Sequence, residues 1–173
     1  MNKPLIAVER LTKRFDVSRS MTDILTGKRP QLQAVTDVNF TLQRGETLGI
    51  VGESGCGKTT LGRMLIKLIP PSEGTILFDG KNISGMDRTA ELAFRRRAQL
   101  VFQNPFDALN PHFTILRSLR EPLHNARVPG EEHVSRIAEA MGMVHLPAPD
   151  HFLQSLPHQL SGGQLQRAVL ARA

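Results

Sequence analysis

Gly52-Glu53-Ser54-Gly55-Cys56-Gly57-Lys58-Thr59 lies between an apolar run, Thr47-Leu48-Gly49-Ile50-Val51, and a stretch of helical spacing, Thr60 to Ile69. The octapeptide matches G-x-x-x-x-G-K-[ST]. Its glycines let the backbone turn tightly and aim N–H groups inward. Lys58 adds a fixed positive charge, and the Thr59 hydroxyl follows where a Mg²⁺ ion would sit. The apolar run reads as a buried strand, while Leu61, Met64, Leu65 and Leu68 recur at helical intervals. Strand, glycine loop and helix, in that order, are the setting in which such a loop holds the phosphates of ATP or GTP.

Composition sets the bounds around this motif. A chain of 173 residues is one domain of ordinary size, long enough for a core, with the apolar and charged fractions of a soluble globular protein. No apolar run approaches a membrane span, and residues 1–10 contain no secretory h-region. Cysteine occurs once, at Cys56, so no internal disulfide can form, which suits a reducing cytoplasm. Cys56 occupies an unspecified motif position and reads as a tolerated small residue; a redox role is the alternative, since a helix N-terminus lowers a thiol pKa. The six histidines show no metal spacing.

The net charge of +6 admits nucleic acid, anionic lipid or a membrane protein as partner. Its densest run, Arg95-Arg96-Arg97, follows Leu92 and Phe94 and reads as a solvated helix face. No aromatic residues interleave with it, which counts against a single-strand nucleic-acid platform.

Working outward, Leu5 to Leu11 predicts a strand, Asp16 to Gln33 a polar loop or insertion, and Val38, Phe40 and Leu42 a second strand closed at Arg44-Gly45-Glu46. Pro70 to Gly74 is a turn, Thr75 to Phe78 a strand closed by Asp79-Gly80, and Leu100-Val101-Phe102 a further buried strand. After Pro111 the pattern turns helical. Ile115 to Ala126 is expected as a helix interrupted near Pro122. Glu131 to Met143 is expected to bury Val134, Ile137, Ala138 and Met141. A Pro/His-rich connection, Leu146 to Gln159, leads to Leu160-Ser161-Gly162-Gly163-Gln164. Ser161 suits a helix N-cap, and Leu165, Ala168 and Val169 share one face beyond it.

Leu160 to Gln164 resembles the signature motif of ATP-binding cassette (ABC) ATPases, and it follows the P-loop in the family's order. Gln103, in Val-Phe-Gln-Asn-Pro, resembles the family's Q-loop. Phe15, after Leu11-Thr12-Lys13-Arg14, occupies the place of the aromatic that stacks on adenine; burial as a core residue is its other reading. Finer wording (Gly-Glu-Ser-Gly-Cys-Gly-Lys-Thr, Phe-Gln-Asn-Pro-Phe-Asp-Ala-Leu-Asn-Pro, Leu-Pro-His-Gln-Leu-Ser-Gly-Gly-Gln) is similar to ATPase subunits of oligopeptide/dipeptide importers. A nickel or other small-solute importer of the same group remains open.

The resemblance implies an α/β fold: a P-loop NTPase core of ABC ATPase type, an N-terminal antiparallel β subdomain and an α-helical subdomain. It partitions the chain into 1–104 (core and β subdomain), 105–160 (helical subdomain) and 161–173 (signature helix). Gly52, Glu53, Ser54, Gly55, Cys56, Gly57, Lys58, Thr59 and Thr60 would surround the phosphates of ATP, with Phe15 at the base. Lys58 would neutralise developing charge, Thr59 and Gln103 would reach Mg²⁺, and Gln103 would also reach the attacking water. Ser161, Gly162, Gly163 and Gln164 would meet the γ-phosphate held by a second ABC ATPase subunit, in a homo- or heterodimer. Implied partners are that subunit, transmembrane permease subunits and, indirectly, a solute-binding protein, with no nucleic acid. The implied location is cytoplasmic, peripheral on the inner face of the membrane.

The helix from Gln164 carries no Gly, Asn or Pro terminator before Ala173, which reads as truncation after the signature. The family continues into an apolar strand ending Asp-Glu and a switch histidine. Residues 1–173 contain no such strand, so core strands are expected to be missing, apolar strand edges exposed, and phosphate release by this stretch alone negligible. A non-hydrolysing remnant that binds nucleotide or a partner subunit is the alternative function. A nucleic-acid-associated ABC ATPase is a third, disfavoured by the absence of zinc-spaced cysteines and long heptads.

Overall fold

Alternating apolar residues in the N-terminal third pair into strands, and the pairing runs further than alternation alone predicts. The computed structural model describes residues 3–16, 30–146 and 150–173, in two compact units that divide between Gln99 and Leu100. In the first unit β1 (Ile6–Asp16) pairs antiparallel with β2 (Gln31–Leu42) and β3 (Glu73–Phe78), and β3 turns back into the short β4 (Lys81–Asn82). The sheet order among the described residues is β2-β1-β3-β4. Asp16 and residues 31–33, expected in a loop, are in the ladder: Phe15 faces Leu32, Asp16 faces Gln31, and Gln31 Nε2 donates to Asp16 Oδ1 at 2.9 Å. Polar side chains on an exposed hairpin arm do not prevent backbone pairing, so polarity misplaced the boundary. The rest of the expected insertion, residues 17–29, lies outside the described residues.

Helix α1 (Lys58–Leu65) and helix α2 (Arg88–Arg97) bury Leu61, Met64 and Phe94 with Val8, Leu11, Val35, Ile76, Phe78 and Ile83. Phe94 meets Phe78 edge-on, with ring centroids 5.0 Å apart. α1 stops short of the expected Ile69. Lys67 adopts φ +58°, its N–H bonds Met64 O at 3.0 Å, and Leu68 N bonds Arg63 O at 2.9 Å. This is a Schellman ending with lysine in the position glycine usually takes, which is why composition did not reveal it. Leu68 is left exposed.

Two expected strands are corrected. Residues 47–51 and 100–102 are irregular, and Leu48, Ile50, Val51, Val101 and Phe102 are exposed, Val51 at 97%. An apolar run signals capacity for burial, whereas a strand requires a hydrogen-bonded neighbour. Among the described residues no strand pairs with either run.

The second unit is helical. α3 (Ile115–Asn125) runs unbroken through Pro122 and corrects the expected interruption; Ala126 N reaches Pro122 O at 2.9 Å and closes the following turn. α4 (His133–Met143) buries Ile137 and Met141 as expected, but the row is completed by His133, and Val134 and Ala138 face outward. His133 Nε2 lies 2.9 Å from Val128 O, which satisfies the buried ring and lets it sit where an apolar residue was anticipated. The connection after Leu146 contains a short helix α5 (Asp150–Leu153) with Phe152 buried. α6 (Gly162–Arg172) is capped by Ser161 and buries Leu165, Ala168 and Val169 against Leu109, Ile115, Leu119, Ile137 and Met141. No helix among the described residues is long and apolar enough to cross a membrane.

Salt bridges in the first unit carry a pH signature. Arg97, with Arg44 beside it, lowers the Asp79 carboxyl below its ordinary value; Lys67 and Arg95 lower Glu91, and Arg14 lowers Glu73. A carboxylate lowered in the folded state stabilises the fold above its unfolded pKa, about 4, and that contribution disappears as pH falls through the folded value. All three are solvent-screened, so the effect is modest. Melting temperature should be flat near neutrality and fall below about pH 4. Asp79→Asn should flatten that acid limb, and unchanged pH slopes in the variant would refute the assignment.

Candidate nucleotide-binding site

The glycine loop is built on β2. Gly57 is the N-cap of α1 at φ +98°, and a Cβ there would lie 2.1 Å from the Ala34 carbonyl oxygen and 3.3 Å from Val35 Cγ2. Only glycine permits both the left-handed turn and this approach. Asp87, Thr114 and Ser161 each cap their helices with a side-chain oxygen, but Gly57 makes no side-chain cap. The first-turn N–H groups of α1 therefore lack both an intrahelical acceptor and a cap, the arrangement that suits an anion.

Lys58 folds over the loop. Its Nζ donates to Gly52 O at 2.8 Å and to Glu53 O at 2.6 Å, and lies 3.6 Å from Cys56 Sγ. The ammonium thus sits within the turn formed by Glu53 to Cys56, whose own bond is Cys56 N to Glu53 O at 3.3 Å. Cys56 is exposed and free, and Thr59 is exposed at the start of α1 with Thr60 half-buried behind it. A cleft of about 660 Å³ adjoins the loop, lined in part by Val35, Phe40, Leu48, Cys56 and Lys58. Glu46 does not serve the loop: its Oε2 accepts from Gln43 N at 2.7 Å.

Phe15 is 38% exposed and lies outside the buried core, so the packing reading is set aside. Its ladder partner Leu32 is two residues from Ala34, which abuts Gly57. Two strand residues span about 7 Å, so the ring stands one short step along β2 from the loop. Lys13, which carries no motif of its own, holds its Nζ 5.1 Å from the Phe15 centroid. The available signal was its position two residues earlier on the same strand face.

In the second unit, Gln103 is exposed in the irregular segment before the turn Pro105–Ala108. At α6, Ser161 Oγ accepts from Gln164 N at 3.3 Å, and Ser161 N donates to Gln164 Oε1 at 3.0 Å, a reciprocal capping box. Gln164 is therefore turned back on its own helix. Gly162 and Gly163 have no positive φ, and a Cβ on either would meet nothing within 4 Å. Glycine in a helix disfavours folding by about 0.5–1 kcal/mol relative to alanine; nothing among the described residues requires it here. Arg172, at the far end of α6, donates to Ala108 O at 3.1 Å and to Glu121 Oε2 at 2.8 Å. It ties α6 to the turn after Gln103 and to α3, a link with no motif to announce it.

This chain is similar to proteins of known class. It is 39% identical over 178 residues to the putative oligopeptide transport ATP-binding protein YkfD of Bacillus subtilis (strain 168), covering 98% of this chain and 49% of that protein. It is 42% identical over 149 residues to the nickel import ATP-binding protein NikE of Escherichia coli O157:H7, covering 86% of this chain and 55% of that one. The chain spans about half the length of the curated relatives it matches. Among solved structures, the dimeric structure of MJ0796, a bacterial ABC transporter cassette, superposes with a TM-score of 0.76 at 30% identity, over 96% of this chain and 68% of that one. The ABC transporter family profile matches residues 35–173, and the chain belongs to that family.

Proposed function

We propose that this chain is the ATP-binding, energy-coupling part of an importer for peptides. The observation that carries this reading is the uncapped N-terminus of α1 at left-handed Gly57, with Lys58 folded across it, in a chain whose relatives are named peptide and oligopeptide import ATP-binding proteins. The loop N–H groups and Lys58 would bind the phosphates and Phe15 the base. The exposed Thr59 hydroxyl would hold Mg²⁺, which would neutralise charge on the phosphates. Ser161, Gly162 and Gly163 would face the nucleotide of a second subunit; MJ0796, similar in fold, is described as a dimer. Gln103 with the helical region from Pro105 to Leu156 would pass the closure of two subunits to a permease subunit at the inner face of the membrane; a groove of about 590 Å³, lined in part by Phe113, Arg117, Arg120, Glu121 and His124, lies on α3 in that region. Arg172 would relay movement between that groove and the signature helix.

Because Cys56 is the single cysteine, its alkylation reports directly on the loop. ATP, ADP and tripolyphosphate should slow modification of Cys56 at least tenfold, with AMP giving little protection. Equal alkylation rates with and without millimolar Mg-ATP would defeat the reading. Phosphate release measured in the same sample distinguishes binding with turnover from binding without it.

A further inference from the structure

We infer that Lys13 is a positioning residue for the nucleotide base, acting through Phe15; this rests on the reading of Phe15 as the base platform. Residues 13 and 15 share one face of β1, and the Lys13 ammonium lies 5.1 Å from the ring centroid, within cation–π range. The ammonium also donates to Pro70 O at 2.8 Å, a contact that favours its place over the ring. The turn carrying Pro70 also clasps the strand. Ser72 N donates to Thr12 O at 2.8 Å, Arg14 N donates to Ser72 Oγ at 3.0 Å, and Arg14 Nη1 meets Glu73 Oε1 at 2.5 Å.

Residues 70–73 thus hold the end of β1 that carries Phe15, and Lys13 covers one face of its ring. A cation on one face leaves the opposite face for a purine and draws on the negative quadrupole of the ring, which favours stacking by an electron-rich base. It also fixes the ring before binding, so less freedom is lost when the base arrives. Lys13 therefore contributes to recognition of the base and not of the phosphates, although it is a cation.

The test is equilibrium binding of ATP and of tripolyphosphate to the purified protein and its variants. Phe15→Ala should weaken ATP about tenfold. Lys13→Met should weaken ATP about two- to fivefold, the range of an exposed cation–π contact, and Lys13→Arg should restore it. Tripolyphosphate affinity should be unchanged in all three. In the Phe15→Ala background, Lys13→Met should have no further effect. Equal weakening of ATP and tripolyphosphate by Lys13→Met, no weakening at all, or full additivity with Phe15→Ala would each overturn the inference. If Phe15→Ala itself leaves ATP affinity intact, the platform reading fails instead, whatever Lys13 does.

Discussion

Gly57→Ala is expected to abolish nucleotide binding and to destabilise the first unit. The left-handed conformation costs an L-residue roughly 1–2 kcal/mol, and at φ +98° alanine lies beyond the usual left-handed well. Steric overlap costs more than the dihedral angle. The new methyl carbon would sit 2.1 Å from the carbonyl oxygen of Ala34, the residue at the break in the β1–β2 register between the Lys13–Val35 and Arg14–Gln33 pairs. Relief requires the loop to lift from β2, which displaces the first-turn N–H groups of α1 and the Lys58 ammonium together. Losing two charge-assisted hydrogen bonds removes about 3–6 kcal/mol of binding, a loss of at least about 100-fold in affinity. Titration calorimetry with ATP and thermal melting read the two effects. An alanine variant that binds within threefold of the parent and melts at the same temperature would show that the close approach does not shape the loop.

Gly163→Ala should act in the opposite direction on stability. Among the described residues no atom outside the helix's own backbone and the two neighbouring residues lies within 4 Å of the added methyl, and the backbone is not left-handed, so the fold accommodates it. Helix α6 should gain up to about 1 kcal/mol from the loss of glycine's backbone entropy. Yet, on the proposed reading, the same methyl would stand where a phosphate on a second subunit would approach the helix N-terminus. Blocking a positioned backbone donor of that kind costs on the order of 100-fold in function. ATP-driven pairing of two subunits, followed by sedimentation under non-hydrolysing conditions, should fall by about that factor while the melting temperature rises. A variant that pairs normally would remove the reason offered for two glycines at the start of α6, and with it the support for contact in trans.

These contrasting glycines show how far local pattern reaches. Within their motifs Gly57 and Gly163 are alike, small residues expected near phosphate. Only the neighbourhood separates them: one is wedged against another strand and the other faces open space. Phe15 is similar. Its residue type left burial open beside base stacking, and the β1–β2 register, with exposure of the ring, set burial aside. Val134 and His133 exchanged expected places because periodicity scores apolar side chains, whereas burial also admits an imidazole whose nitrogen finds a carbonyl oxygen.

What residue order alone determined was short-range. The glycine loop, the Ser161 N-cap, the turn at Asp79-Gly80 and the apolar face of α6 depend on residues within a few positions of one another, where steric limits and hydrogen-bond reach are dictated by chain geometry. The tertiary structure decided what depends on distant partners: the strand that abuts Gly57, the carbonyl that tethers Lys13, the bonds that make Arg172 a link, and the irregular state of residues 47–51 and 100–102. Pairing energy belongs to two segments jointly, so neither segment announces it by itself.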